Sequence, residues 1–231
     1  MRFRVGNLIA ALKCYRFRIG DLIAAVYLLT IVYLLVHFNQ EFVWLTMHYP
    51  YLMGFLKVSC IATFGESFKM RIKAGSWHLS RPVFRFVVWG FFGVWFAAAF
   101  PLISFGVEAL IAKGLWPRVD GYLLALSKSF WINIGGGYAF SMMITHEYFN
   151  RAIAEGRPIS LTVFAECMAG RDASLFWFRI TPILISTFWL IMHSITFSLP
   201  GVYYVLMAAG LSFFLGLFLT FLQQSKSPKT A

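Results

Sequence analysis

An all-α, polytopic integral membrane bundle of about six transmembrane helices, both termini inside, is the fold class this sequence predicts. Three observations predict it. The chain of 231 residues is 60% hydrophobic and only 13% charged, against about 25% charged residues in a soluble domain. Mean hydropathy is +0.73, and a chain this short has no interior large enough to absorb so much apolar surface, so lipid must solvate much of it. Finally, the basic residues alternate. With six spans and both termini inside, 16 of the 20 Lys and Arg fall on inside segments, while the outside loops hold only Lys113 and Arg118. That bias is the one expected when cytoplasmic loops retain positive charge.

The elements follow in order. Residues 1–20 form a basic segment with Arg2, Arg4, Lys13, Arg16 and Arg18. Within it FRVGNLIAA at 3–11 recurs as FRIGDLIAA at 17–25, identical at seven of nine positions with a period of 14. Fourteen residues is nearly four helical turns, so both copies present almost the same face. This reads as an amphipathic helix on the membrane surface or as a local duplication without a role. The first span is about 21–38, and its length and lack of a small-x-small cleavage site predict a retained anchor rather than a signal peptide. The second, about 49–66, carries Lys57 near its middle. A basic connection around Gly75-Ser76-Trp77 leads to Pro82, which suits the first turn of the third span, about 84–107. The fourth span is about 121–144. Residues 176–222 form the last hairpin, turning at Pro200-Gly201. Residues 21–222 thus make one transmembrane domain, followed by a flexible tail at 223–231. Segment 145–175, with His146, Glu147, Glu155, Arg157, Glu166, Arg171 and Asp172, is the one sizeable polar stretch between spans, and VFAECMAG within it suggests a short interfacial helix.

Composition also excludes functions. Cys14, Cys60 and Cys167 are far apart and form no CxxC pair, so neither a disulfide framework nor a zinc site is expected. The net charge of +11 matches positive inside loops facing anionic headgroups, and no basic–aromatic nucleic-acid module accompanies it. His146-Glu147 lacks the second His of a zinc-protease motif, and there is no GxSxG elbow, phosphate loop or dinucleotide fingerprint. The chain is not expected to be an enzyme or to hold a cofactor or metal.

Polar residues at membrane depth are the candidate functional groups. On the fourth span Ala125, Ser129, Asn133, Gly137, Ser141 and Thr145 recur every four residues and share one helix face. Small residues there permit close helix approach, and Asn or Ser bonds across the contact; the same face also suits a polar wall of a solute path. Gly135-Gly136-Gly137 weakens the helix locally. On the sixth span Ala208, Ser212, Gly216 and Thr220 read as a packing stripe. Ionised groups in a bilayer normally face water or the bundle interior, which nominates Lys57, Lys128 and His193, with Ser186 on the same span as His193.

The stretch FWLIMHSITFSLPGVYY resembles the C-terminal signature of the Mpv-seventeen-like family of peroxisomal and mitochondrial inner-membrane proteins. Trp189, Phe197, Pro200 and Tyr203 match the family positions, and His193 stands in the place of a Gln. Leu190, Thr196 and Tyr204 replace the family's Pro, Asn and Arg. Tyr49-Pro50 and Gly65-Glu66 look like its early Tyr-Pro and Gly-Asp elements. The resemblance implies a channel-like protein for small solutes, in a bacterial inner membrane or a mitochondrial inner or peroxisomal membrane.

The expected function is therefore a small-solute or ion pore, formed or supported by this chain. Lys57, Lys128, Ser129, Asn133, Gly137, Ser141, Ser186 and His193 would line the polar path, the two lysines favouring anions. The expected partners are the lipid bilayer, anionic headgroups at the basic inside loops, and a second copy or another membrane-complex subunit. A structural subunit of a membrane complex is the competing class, and an intramembrane enzyme the third.

Overall fold

A computed structural model describes residues 17–135, 144–145, 148–149, 151–158, 160–169, 181–211 and 213–214. The first repeat copy, Cys14, Gly137, Ser141, His146, Glu147, most of the sixth-span stripe (Ser212, Gly216, Thr220) and the tail lie outside the described residues, as does the Cys167 side chain.

All regular structure among the described residues is helical. Helix α1 is Ile19–His37, α2 Asn39–His48, α3 Pro50–Ala74 and α4 Pro82–Ala112. Helix α5, Gly121–Phe130, runs on into a π-helical turn at Trp131–Gly135. Helix α6 is Leu161–Ala169, α7 Thr181–Phe197, and α8 Gly201–Leu211. Helix α7 contains a second π-helical turn, Ile185–Trp189. Among the described residues two helices, α1 and α4, are long and apolar enough to cross a membrane.

Proline and glycine place several boundaries. Pro50 and Pro82 open α3 and α4, where the missing N–H is no loss. Gly75, with φ 68° in the left-handed region, closes α3 through its N–H to the Arg71 carbonyl at 3.0 Å, the usual glycine cap. Helix α4 continues through Pro101 without a break. Helix α2 occupies most of the stretch expected as a loop between the first two spans. Its termini are set by Phe38 (φ −108°, ψ 37°) and Tyr49 (φ −129°, ψ 57°), which leave the helical region.

The core is built on an antiparallel α3–α4 pair. Gly54 and Gly93 meet backbone to backbone: a Cβ on Gly93 would lie 2.0 Å from the Gly54 oxygen. A Cβ on Gly90 would strike the Phe55 ring at 2.2 Å. Val58 and Ala62 continue the seam and are fully buried, and the Ser59 hydroxyl donates to the Phe86 carbonyl at 2.8 Å. Phe96 and Phe100 on α4 then meet Trp189, Phe197 and Tyr204 in one apolar cluster. Helix α1 is different: Ala24 is its one buried residue, and Leu22, Ile23, Val26, Leu29, Val32 and Val36 all face outward.

Helix α1 is fastened at one end by a charged clasp. Arg71 Nε and Nη2 donate to the two Asp21 carboxylate oxygens at 2.7 and 2.8 Å. Trp77 Nε1 donates to the same carboxylate at 2.8 Å. Asp21 also takes the backbone N–H of Arg18 at 2.8 Å, which makes it part of the α1 N-cap. Gly20 admits the Trp77 ring, since a Cβ there would sit 2.5 Å from it. A second ion pair, Arg85 Nη1 to Glu66 Oε2 at 2.7 Å, ties α4 to α3 at the same end.

Candidate functional site

Helices α5 and α7 pack so that their two π-helical turns meet. A π turn widens the helix by one residue and shifts the side chains that follow. The α5 turn ends at Gly135, where the Trp131 ring folds back over the backbone; a Cβ would lie 2.4 Å from it. Gly135 thus removes the steric bar to this turn.

The junction carries a polar node. Ser129, Asn133 and His193 are 0%, 1% and 2% exposed, so each polar atom needs a protein partner. Ser129 Oγ donates to the Leu190 carbonyl at 2.6 Å. The Asn133 amide nitrogen donates to the Ser129 carbonyl at 2.8 Å and reaches the Trp189 carbonyl at 3.4 Å. Carbonyls only accept, so the amide orientation is fixed and Oδ1 must point the other way. That oxygen lies 2.9 Å from His193 Nδ1. An amide oxygen can only accept, so His193 carries its proton on Nδ1 and, as a neutral ring, presents Nε2 as the basic nitrogen. The imidazole is wedged between the Trp189 ring, 5.0 Å away, and the edge of Phe100, 5.6 Å away.

The same region has polar atoms without partners. Trp131 Nε1 and Trp189 Nε1, one on each π turn, are buried and make no hydrogen bond, and the same holds for Thr181 Oγ1 farther along at the start of α7. An unpaired buried donor costs about 1–3 kcal/mol.

The remaining sequence candidates lie elsewhere. Lys128 Nζ pairs with Glu108 Oε1 at 2.6 Å; the lysine is buried and the carboxylate half exposed. Lys57 reaches toward α2, donating to Thr46 Oγ1 at 2.7 Å with its ammonium 4.3 Å from the centre of the Phe42 ring. Ser186 is exposed and bonds back to the Pro182 carbonyl of its own helix at 2.8 Å. Three of the candidates therefore converge, Ser129, Asn133 and His193, while Lys57, Lys128 and Ser186 stand apart.

The residues that carried the family resemblance mostly line the α4-facing side. Trp189, His193 and Phe197 follow one another at spacing four, and Phe197 packs edge-on against Phe100 at 5.4 Å. Pro200 sits exposed in the turn. Tyr203 exchanges two hydrogen bonds with the Asn39 side chain, at 3.0 and 3.1 Å. Thr181 was legible as a polar group at depth in the last hairpin, whereas composition and spacing gave no sign of Trp131 or Phe100. Gly135 was the one available signal for the π turn that makes the node possible.

Segment 148–169 holds an exposed ion network. Arg151 Nε pairs with Glu155 at 3.0 Å, and Arg157 bridges Glu155 and Glu166. Hydrogen bonds from Arg151 and then Arg157 hold the Glu155 carboxyl below its usual range, and Arg157 does the same to Glu166.

No family model, curated protein or solved structure matches this chain.

Proposed function

We propose that the chain is a polytopic membrane protein that forms or supports a path for small solutes or ions, with Ser129–Asn133–His193 as its closed constriction. The full reading is six spans, both termini inside, in the manner suggested by the resemblance to the Mpv-seventeen-like family. One observation carries it: a polar node lies at the meeting of two π-helical turns, next to buried polar atoms that have no partner. An ionisable side chain inside a membrane bundle, here His193, points to function by default. π turns also concentrate at functional sites because they hold a helix in a locally unfavourable state.

The test is flux through the protein reconstituted in vesicles. Wild type is expected to pass small solutes. Asn133→Leu and His193→Leu are each expected to change the rate about tenfold, the scale of one lost hydrogen bond to a buried group. Ser186→Ala, which faces outward, is expected to leave it unchanged.

A second reading, a structural subunit of a membrane complex, is favoured by α1, whose large apolar residues are mostly uncovered. A partner that stays bound in fixed ratio through gentle detergent purification would support it.

A further inference from the structure

We infer that Lys57 is a binding site for a phosphate oxyanion, and that α2 is the lid this anion releases. The reasoning starts from charge. Among the described residues three cationic side chains are buried: Lys57, Arg71 and Lys128, at 6%, 5% and 6% exposure. Arg71 has Asp21 and Lys128 has Glu108. Lys57 has no carboxylate; it has one hydroxyl and one aromatic ring. A buried charge is normally balanced by an opposite one. A ring and a neutral hydroxyl satisfy the ammonium only in part, since it has three N–H donors.

The cover over this cation is lightly held. No residue of α2 is fully buried. Its attachments to the bundle include Lys57 with Thr46 and Phe42, the reciprocal Asn39–Tyr203 pair, and the Phe42–Tyr203 ring stack at 6.0 Å. Phe38 and Tyr49 leave helical geometry on either side of it, which lets α2 move as a body. The Thr46 hydroxyl proton is committed to the Phe42 carbonyl at 2.7 Å, so its lone pair faces Lys57 and it has no proton to offer an anion while α2 is seated. With Nζ 2.7 Å from Thr46 Oγ1, no ion fits between them. An anion that takes the place of the Thr46 and Phe42 contacts loosens α2, which then keeps only its Tyr203 attachments among those named. Under the membrane reading of the bundle, on which this placement rests, Lys57 lies about 10 Å below the outer end of α3. A side chain leaning toward its helix N-terminus brings the ammonium to the outer interface, where either a dissolved phosphate or a lipid headgroup can meet it.

Amide exchange of residues 39–48, followed by mass spectrometry on the full chain in detergent micelles, tests this. Inorganic phosphate is expected to speed exchange about tenfold over chloride at equal ionic strength, the change that accompanies loss of about 1.4 kcal/mol of contact. Lys57→Met is expected to exchange fast in both salts. Thr46→Val keeps the ammonium but removes its acceptor; α2 should then exchange fast without phosphate. A parallel titration with short-chain phosphatidylglycerol separates the sources: a response to the lipid alone assigns a headgroup, and a response to free phosphate assigns a soluble ion. Equal wild-type exchange in chloride, phosphate and phosphatidylglycerol overturns the proposal, as does a Thr46→Val protein whose α2 stays as slow as wild type. The readout is independent of transport, so failure of the flux assay and failure of this site are separate results.

Discussion

At the scale of single residues, charge matching decides what the buried ions do. Asp21 takes two donors from Arg71 and one from Trp77, with both ionic side chains under a tenth exposed. Breaking such a pair by removing one charge leaves the other uncompensated and costs about 3–5 kcal/mol. Asp21→Asn is therefore expected to lower stability in detergent by that amount, measured by chemical unfolding. The comparison has a natural form in the sequence, because the first repeat copy already carries Asn7 where the second carries Asp21. The duplication was legible from sequence; that its one change of charge sits on the clasp was not, because Arg71 is 50 residues away. Lys57, Lys128 and His193 were legible as costly groups in an apolar run. Their separate fates were not, since the partners Thr46, Glu108 and Asn133 are set by how the helices pack.

At the scale of elements, glycine sets the distances. Gly54 and Gly93 let α3 and α4 touch through their backbones. Any side chain at 93 must push the helices apart, so Gly93→Val is expected to destabilise the bundle by at least about 2 kcal/mol, seen as a shifted unfolding midpoint. Sequence reading placed small-residue stripes on the fourth and sixth spans and missed this seam. On α3 the stripe Gly54–Val58–Ala62 is broken by a branched residue, and on α4 Gly90 and Gly93 are three apart among aromatic residues. Helix α2 was also missed, because a ten-residue stretch of mixed polarity between two spans resembles a loop. The 151–166 segment is expected to respond to pH. Its carboxylates titrate below their usual range when paired, so the network is intact at neutral pH and above, and is lost as pH falls through the depressed values of Glu155 and Glu166. Amide exchange across 151–166, corrected for intrinsic rates, is expected to rise as the medium is acidified below about pH 4.5 and to stay flat between neutral and mildly alkaline pH.

At the scale of the whole molecule, the all-helical class followed directly from composition and from apolar runs of bilayer length. The helical bundle meets that expectation, and α1 and α4 have the length and hydropathy to span. Helices α5 and α7 each carry a π turn at polar residues. Period-four patterns identify a helix face but not a change of helical pitch within it. The stripe on the fourth span includes Ser129 and Asn133, both buried, while the convergence of His193 on them depends on the second π turn in α7. The proposed path passes through that convergence.

Flux in reconstituted vesicles, wild type against Asn133→Leu, tests the central claim most directly. Asn133 is buried, its amide orientation is fixed by carbonyl acceptors, and it joins α5 to His193 on α7. The account predicts measurable small-solute flux in wild type and a change of about tenfold in the variant, with both proteins equally folded. Equal flux in the two, or none in wild type at any pH or membrane potential, would contradict it.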